Sequence, residues 1–115
     1  MPHCVIEYTK ELETRININE LMNATFESVA SSGLFNNTAI KARAIAIDQY
    51  KSGLERNDYI HITVRILSGR TADQKKYLSE TVMNGVKPFI GNTKCTTIEI
   101  VDMDKDSYAK HIGNP

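Results

Sequence analysis

The clearest structural signal in the chain is residues 58–74, which read DYIHITVRILSGRTADQ. Apolar side chains fall on every second position of its first part, at Ile60, Ile62, Val64 and Ile66. This alternation is typical of a strand with one buried face. The turn Ser68-Gly69-Arg70 leads into Thr71-Ala72-Asp73-Gln74, the pattern of a capping box that begins a helix. The stretch therefore predicts a strand, a turn and a helix in direct succession.

The helix that begins at Thr71 is predicted to continue for about four turns. Its apolar face is marked by residues at helical spacing: Tyr77, Leu78, Thr81, Val82 and Val86. Gly85 and Pro88 predict that it ends near Lys87. Residues 96–101 predict the last strand, and residues 102–115 are polar and weakly patterned, so no element is assigned to them.

The first part of the chain follows the same plan. Residues 2–8 are strand-like, and Asn17 with Glu20 fits a second capping box. The apolar face of the helix that follows comprises Leu21, Met22, Thr25, Phe26 and Val29. Gly33 predicts a left-handed C-cap, and residues 40–47 predict the second strand. The loop at residues 51–57 is the expected joint between the halves.

The two halves form an internal repeat, at about residues 2–50 and 58–103, because aligning Leu21 with Leu78 also aligns Val29 with Val86. Each half is a βαβ unit, and right-handed crossovers place both helices on one face of a four-stranded sheet. We therefore expect one α+β domain over residues 1–115, α/β by local motif. The other face of the third strand carries mixed polar and apolar residues, so we expect another subunit to cover it.

Composition excludes several classes of partner and cofactor. The chain has 14 basic and 14 acidic residues, so it carries no net charge to attract nucleic acid or an anionic membrane. Cys4 and Cys95 lack metal-ligand spacing, no apolar run approaches the ~20 residues that span a bilayer, and no secretory leader precedes Pro2. We expect a soluble cytoplasmic protein without a metal or other cofactor.

Pro2 is the first candidate catalytic residue. Removal of Met1 leaves a secondary amine that can act as a base, and the strand that follows would hold it in place. The alternative is an ordinary proline at the first position of a strand, where no N–H is needed.

Three cationic side chains could bind an anion. Lys41 and Arg43 share one face of the second strand, opposite Ala42 and Ala44, although such charges often only protect a strand edge. Arg70 precedes a helix N-terminus, where a guanidinium and backbone N–H groups favour a carboxylate. It could instead extend into solvent or pair with Asp73.

Other polar side chains are weaker candidates. His3 and His61 lie on strands that could adjoin the site, but histidines there are more often packing or interface residues. Cys4 and Cys95 have no neighbouring base in the sequence to activate them, and the tyrosines are expected to pack.

With Pro2 and the segment Gly69-Arg70-Thr71-Ala72-Asp73-Gln74-Lys75, the chain resembles the tautomerase superfamily, whose members use an amino-terminal proline on a repeated βαβ scaffold. Four further segments resemble its 5-carboxymethyl-2-hydroxymuconate Δ-isomerase branch: Pro2-His3 with Glu7, residues 31–35, Ile40-Lys41-Ala42-Arg43, and Asp58-Tyr59 with His61. The likeness covers about residues 2–101. One departure is Lys41, which stands where the isomerases carry arginine and lacks the planar fork of that side chain.

This resemblance implies a cofactor-free isomerase and a homotrimer. Pro2 would be the base and Lys41, Arg43 and Arg70 would bind a dicarboxylate or tricarboxylate in aromatic-acid catabolism. The alternatives are another activity of the superfamily, such as phenylpyruvate tautomerisation or a hydratase-like reaction, and a non-catalytic trimeric ligand-binding protein.

Overall fold

Strands and helices alternate in the order that the two halves predict. In the computed structural model, which describes residues 1–115, the elements are β1 (His3–Thr9), α1 (Ile18–Ser31), β2 (Lys41–Ile47), β3 (Tyr59–Leu67), α2 (Ala72–Val86) and β4 (Cys95–Met103). Four 3₁₀ turns join or follow them: Lys10–Thr14, Asn37–Ala39, Lys87–Phe89 and Lys105–Ser107. No helix is long and apolar enough to cross a membrane.

The four strands form one mixed sheet in the order β2-β1-β3-β4. Each half contributes a parallel pair, with His3 opposite Lys41 in the first half and Tyr59 opposite Cys95 in the second. The halves meet through antiparallel β1 and β3, where His3 lies opposite Arg65. The amino-terminal ends of β1 and β2 therefore lie at the same end of the sheet as the carboxyl-terminal ends of β3 and β4.

The core lies between the sheet and the two helices. It contains 14 buried hydrophobic residues, including Ile6 and Ile62 from the sheet and Leu21, Val29, Leu78 and Val86 from the helices. All four helix residues aligned by the repeat are fully buried. Their burial is the physical cause of the repeating pattern, because each half must cover one sheet face with one helix.

The local helix signals are confirmed in most details. Thr71 and Gln74 form both bonds of a capping box, and Gly33 follows α1 with a φ of +74°. At α1, Asn17 accepts the N–H of Glu20, but the reciprocal bond from the Glu20 side chain is not formed. The predicted box at α1 is therefore only half present.

Other expectations need correction. Tyr77 is 49% exposed rather than part of the apolar face. Gly85 lies inside α2, where a Cβ would approach Ser28 Oγ to 1.8 Å, so this glycine permits close packing of the helices rather than ending one. β4 is longer than predicted because its pairing with β3 extends from Cys95 to Met103.

The sheet face away from the helices has no cover within the chain. Lys41, Arg43 and Ile45 are exposed on it, and Ile45 retains 45% of its accessible surface. Ala42, Ala44 and Ala46 face the helices instead and pack against the core. The alternation predicted for the second strand is therefore confirmed.

Candidate active site

The amino terminus is held at the end of β1 by hydrogen bonds. The Met1 ammonium donates to the Ala39 carbonyl at 2.6 Å, and the Lys41 backbone N–H donates to the Pro2 carbonyl at 3.0 Å. Pro2 itself is buried and precedes the first strand residue, His3. The terminus is thus fixed rather than frayed, as the strand-like sequence after Pro2 predicts.

Lys41 lies beside this terminus. Its Nζ donates to the same Ala39 carbonyl at 3.3 Å, so two amines share one acceptor. The pKa of the Met1 ammonium is lowered, first by burial and then by the positive charges of Lys41 and Lys110. These causes all disfavour the protonated amine, which is the condition that a base working near neutral pH requires.

Arg70 lies on the helix side of the sheet, at the same end. Its guanidinium donates to the Leu34 carbonyl and stacks 5.2 Å from the centre of the Phe35 ring. It forms no ion pair, so the expected alternative partner, Asp73, is not used. A cavity of about 510 Å³ lies between Met1, Phe35 and Arg70 and reaches the helix start at Gln74.

Arg43 is separated from this cavity by the sheet. It lies opposite Val5 on the uncovered face, and its Nη1 is 3.3 Å from His3 Nδ1. Within one chain, the structure therefore brings Pro2, Lys41 and Arg70 to one end of the sheet, with Lys41 and Arg43 on the uncovered face and Arg70 on the helix side.

The carboxyl-terminal tail also reaches this end, which the sequence did not indicate. The Tyr108 hydroxyl is 3.0 Å from His3 Nε2, and the two rings meet edge to face. The pKa of His3 is lowered first by burial and then by the positive charge of Arg43, which favours the neutral ring. A second cavity, of about 470 Å³, separates the tail from the start of β2 and includes Lys41 and Lys110 in its lining.

The remaining candidate residues are not placed where they could act as nucleophiles or bases at this site. Cys4 is fully buried, and burial raises its pKa to about 11, which leaves no thiolate to react. His61 lies on the uncovered face, 2.7 Å from Thr97 Oγ1 and 3.0 Å from Glu99 Oε1. No three His, Cys, Asp or Glu side chains are grouped as metal ligands.

The largest cavity, of about 610 Å³, lies between α1 and α2 and has a different character. Its lining includes Glu20, Glu27 and Ser28 but no cation, and Ser28 is engaged with the Ala24 carbonyl. Its titratable groups are carboxylates, so it offers no cation to bind an anion. The end of the sheet that carries Pro2 is the better candidate site despite its smaller cavities.

Comparison with known proteins identifies the family and the fold of this chain. The sequence profile of the 5-carboxymethyl-2-hydroxymuconate isomerase family matches residues 2–111. The 5-carboxymethyl-2-hydroxymuconate Delta-isomerase of Escherichia coli is 22% identical over 89 residues, which cover 76% of this chain and 71% of that protein.

Solved structures share the fold at low sequence identity. A crystal structure of 5-carboxymethyl-2-hydroxymuconate delta-isomerase has a TM-score of 0.85 and 16% identity, covering 99% of this chain and 89% of the other. A fused 4-OT symmetric trimer has a TM-score of 0.72 and 11% identity, covering 95% and 93%. These structures confirm the fold that the tautomerase resemblance implies. Since the family profile extends over nearly the whole sequence, this chain belongs to the 5-carboxymethyl-2-hydroxymuconate isomerase family, a family of isomerases.

Proposed function

We propose that this protein catalyses a cofactor-independent 1,3-proton shift on an unsaturated 2-hydroxy or 2-oxo diacid such as 5-carboxymethyl-2-hydroxymuconate. Pro2, freed by removal of Met1, is the general base. The observation that carries the proposal is the half-buried amino terminus beside Lys41, where partial burial and nearby cations lower the pKa of the terminal ammonium. After processing, the Pro2 nitrogen would be the terminal amine in this environment.

The proposed reaction is a balanced proton transfer. The neutral secondary amine of Pro2 takes a proton from the enol hydroxyl or a carbon of the substrate, and the electron pair moves into the conjugated system. The resulting prolinium returns the proton at a different carbon, giving the conjugated keto isomer. No electrons are gained or lost, so the reaction needs no redox cofactor.

The cations have two tasks in this mechanism. Arg70 can offer two parallel N–H groups to a carboxylate, because its recorded bond to the Leu34 carbonyl uses only Nη2. A cation near the reacting atoms also stabilises the oxyanion as charge develops. Lys41 supplies a second charge beside the base, but as a compact ammonium instead of the arginine that the family carries there.

Arg43 requires a neighbouring subunit in this proposal. It points from the uncovered sheet face, so it can contact substrate only where another copy of the chain brings a site to that face. The exposed Ile45 and the fused 4-OT symmetric trimer among the structural neighbours support a homotrimer built on this face. A stable monomer at micromolar concentration in light scattering would contradict this part of the proposal.

The rival functions differ in their substrate. Phenylpyruvate tautomerisation uses a mono-acid aryl enol, so an enzyme of that kind gains little from several cations. The unpaired Lys41 and Arg70 on either side of the terminus favour a substrate with more than one carboxylate. A higher kcat/KM on the aryl enol than on the diacid dienol would reverse this assignment.

The test is the ultraviolet-monitored isomerisation of 5-carboxymethyl-2-hydroxymuconate by protein whose free Pro2 terminus is verified by intact mass. The matched control is the same chain with Met1 retained, in which the Pro2 nitrogen is an amide without a basic lone pair. We expect the control to lose about 100-fold or more of the rate, as for removal of a general base. A Pro2→Ala variant checks that the ring amine is needed. Equal rates with and without Met1 would exclude Pro2 as the base.

A further inference from the structure

The carboxyl-terminal tail crosses the end of the sheet that carries Pro2. It leaves β4 at Met103, whose carbonyl accepts the N–H of Ser68 at 3.0 Å. One 3₁₀ turn later, the Tyr108 hydroxyl reaches His3 Nε2 at 3.0 Å on β1. Beyond Tyr108 the tail lines a cavity with Lys41 on β2. The tail therefore passes from one edge strand of the sheet to the other.

The cavity under the tail has the lining of an anion site. Its volume is about 470 Å³, and its charged side chains are Lys41 and Lys110, with His111 beside them. No carboxylate lines it, and neither lysine forms an ion pair anywhere in the chain. Two unpaired ammonium groups facing one cavity repel each other, and a bound carboxylate would relieve that repulsion.

This tail cavity adjoins the proposed base. Ala39 lines the tail cavity, and its carbonyl accepts a hydrogen bond from the Met1 ammonium. The amino terminus therefore lies at the margin of this cavity. Asn36 lines both this cavity and the one that holds Arg70. The two cavities thus flank the amino terminus, each with its own cations. A single elongated ligand that passes the terminus can place one acidic end in each.

We propose that the tail cavity is a second carboxylate subsite, in which Lys110 and Lys41 bind the end of the substrate remote from Arg70. The inference rests on the proposed function, since it assigns the two acidic ends of the same substrate. Lys110 is then a specificity residue that selects diacids and triacids over mono-acids. Tyr108 positions it, because the Tyr108–His3 hydrogen bond fixes the tail over β1.

Binding of saturated acids tests this subsite without turnover. The probes are adipate, a six-carbon diacid, and hexanoate, a mono-acid of equal length, each titrated calorimetrically into the full-length protein. We expect the wild type to bind adipate about 10-fold more tightly than hexanoate, the size of one charge-assisted hydrogen bond. Lys110→Gln should remove most of that difference.

The matched control is Lys105→Gln, which removes the same charge from the same tail. Lys105 belongs to the 3₁₀ turn Lys105–Ser107 and lines none of the cavities. Its loss should leave the preference for adipate intact. Equal weakening in both variants, or no preference in the wild type, would overturn the subsite.

Steady-state kinetics test the subsite and the proposed function separately. Lys110→Gln should raise KM for 5-carboxymethyl-2-hydroxymuconate about 10-fold with little change in kcat, and leave KM for a mono-acid enol unchanged. If Lys110 governs adipate binding but the wild type does not isomerise the diacid, the subsite stands and the isomerase proposal fails. If the wild type isomerises it and Lys110→Gln changes neither KM nor adipate binding, the subsite fails alone.

Discussion

The two ends of the sheet occupy equivalent places in the repeat but are built in opposite ways. Pro2 and Asp58 each precede the first residue of a central strand, next to the pairs His3 with Lys41 and Tyr59 with Cys95. At the Pro2 end, Lys41, Arg70 and Lys110 have no carboxylate partner within the chain. At the Asp58 end, a buried carboxylate is saturated by its own neighbours.

The Asp58 end is a closed network. Arg56 donates two hydrogen bonds of 2.9 Å to Asp58, the Lys94 N–H donates a third at 2.7 Å, and Arg15 lies 3.3 Å away. Chiefly because of the Arg56 bonds, the pKa of the Asp58 carboxyl lies well below its usual range. The network ties the first half, the joint and the loop before β4 together, so its role is structural.

Under the proposed function, one repeated unit serves stability at one end and chemistry at the other. At the Asp58 end, the carboxylate of Asp58 neutralises Arg56 and Arg15 and fixes that end of the sheet. At the Pro2 end, Lys41, Arg70 and Lys110 have no such partner and remain available to an anion from solution. The absence of an internal partner, rather than the presence of positive charge, is what supports the proposal of a binding site at the Pro2 end.

The largest effect that we expect at the Pro2 end comes from Arg70→Ala. The variant removes the guanidinium that is proposed to bind a substrate carboxylate. It should lower kcat/KM for 5-carboxymethyl-2-hydroxymuconate by about 100-fold to 1000-fold. The control is Arg56→Ala at the other end, which should lower stability but leave kcat/KM of the folded protein unchanged. Similar losses of activity in both variants would break the distinction between the two ends.

At the Asp58 end, Asp58→Asn should reduce the free energy of unfolding by about 2 kcal/mol, because a buried carboxylate is lost and its donors are left without a charged partner. Urea unfolding at pH 7 and fixed protein concentration measures the change. Normal kcat/KM of the folded variant is the second expected result. Unchanged stability would mean that solvent already satisfies the two arginines.

The same carboxylate gives a pH dependence of known sign. The pKa of the Asp58 carboxyl is lower in the folded state than in the unfolded state. Its contribution to the free energy of unfolding is therefore complete above the unfolded pKa of about 3.9, and is lost as pH falls toward the folded pKa. The stability gap between wild type and Asp58→Asn should therefore be constant from pH 5 to 7 and shrink below about pH 4. Unfolding curves at pH 7, 5 and 3 check this, and a gap that widens in acid would contradict it.

The smallest expected effects come from Lys41. Lys41→Gln should lower kcat/KM about 10-fold by removing a charge beside the base. Lys41→Arg introduces the arginine that the resemblance leads us to expect there and should change kcat/KM by less than about 3-fold, since the charge is kept. Initial rates over a range of substrate concentrations separate the two variants. A 10-fold loss of kcat/KM in Lys41→Arg would show that the site requires the lysine side chain itself and not only its charge.

The sequence predicted those features that depend on neighbouring residues in the chain. The Thr71–Gln74 capping box and the alternation at Lys41 and Arg43 are local, and the structure confirms both. The Asp58 network was missed because its partners, Arg15 and Lys94, are distant in sequence and no periodic pattern joins them.

The tail was missed for the same reason. Its polar residues have no periodicity, and its contact with the site joins Tyr108 to His3 from opposite ends of the chain. The sequence also could not show that Arg43 and Arg70 lie on opposite faces of the sheet, because that arrangement depends on strand register and on how the turn before α2 packs against Leu34 and Phe35.

The most direct test of the Pro2 end is a ¹⁵N NMR titration of the free Pro2 amine in proline-labelled protein. We expect its pKa to lie below the ordinary terminal-amine range of about 7.7 to 8.0, and to rise in Lys41→Gln, where a nearby positive charge is lost. A pKa at or above that range, unchanged in Lys41→Gln, would contradict the assignment of Pro2 as a base tuned by its unpaired cations.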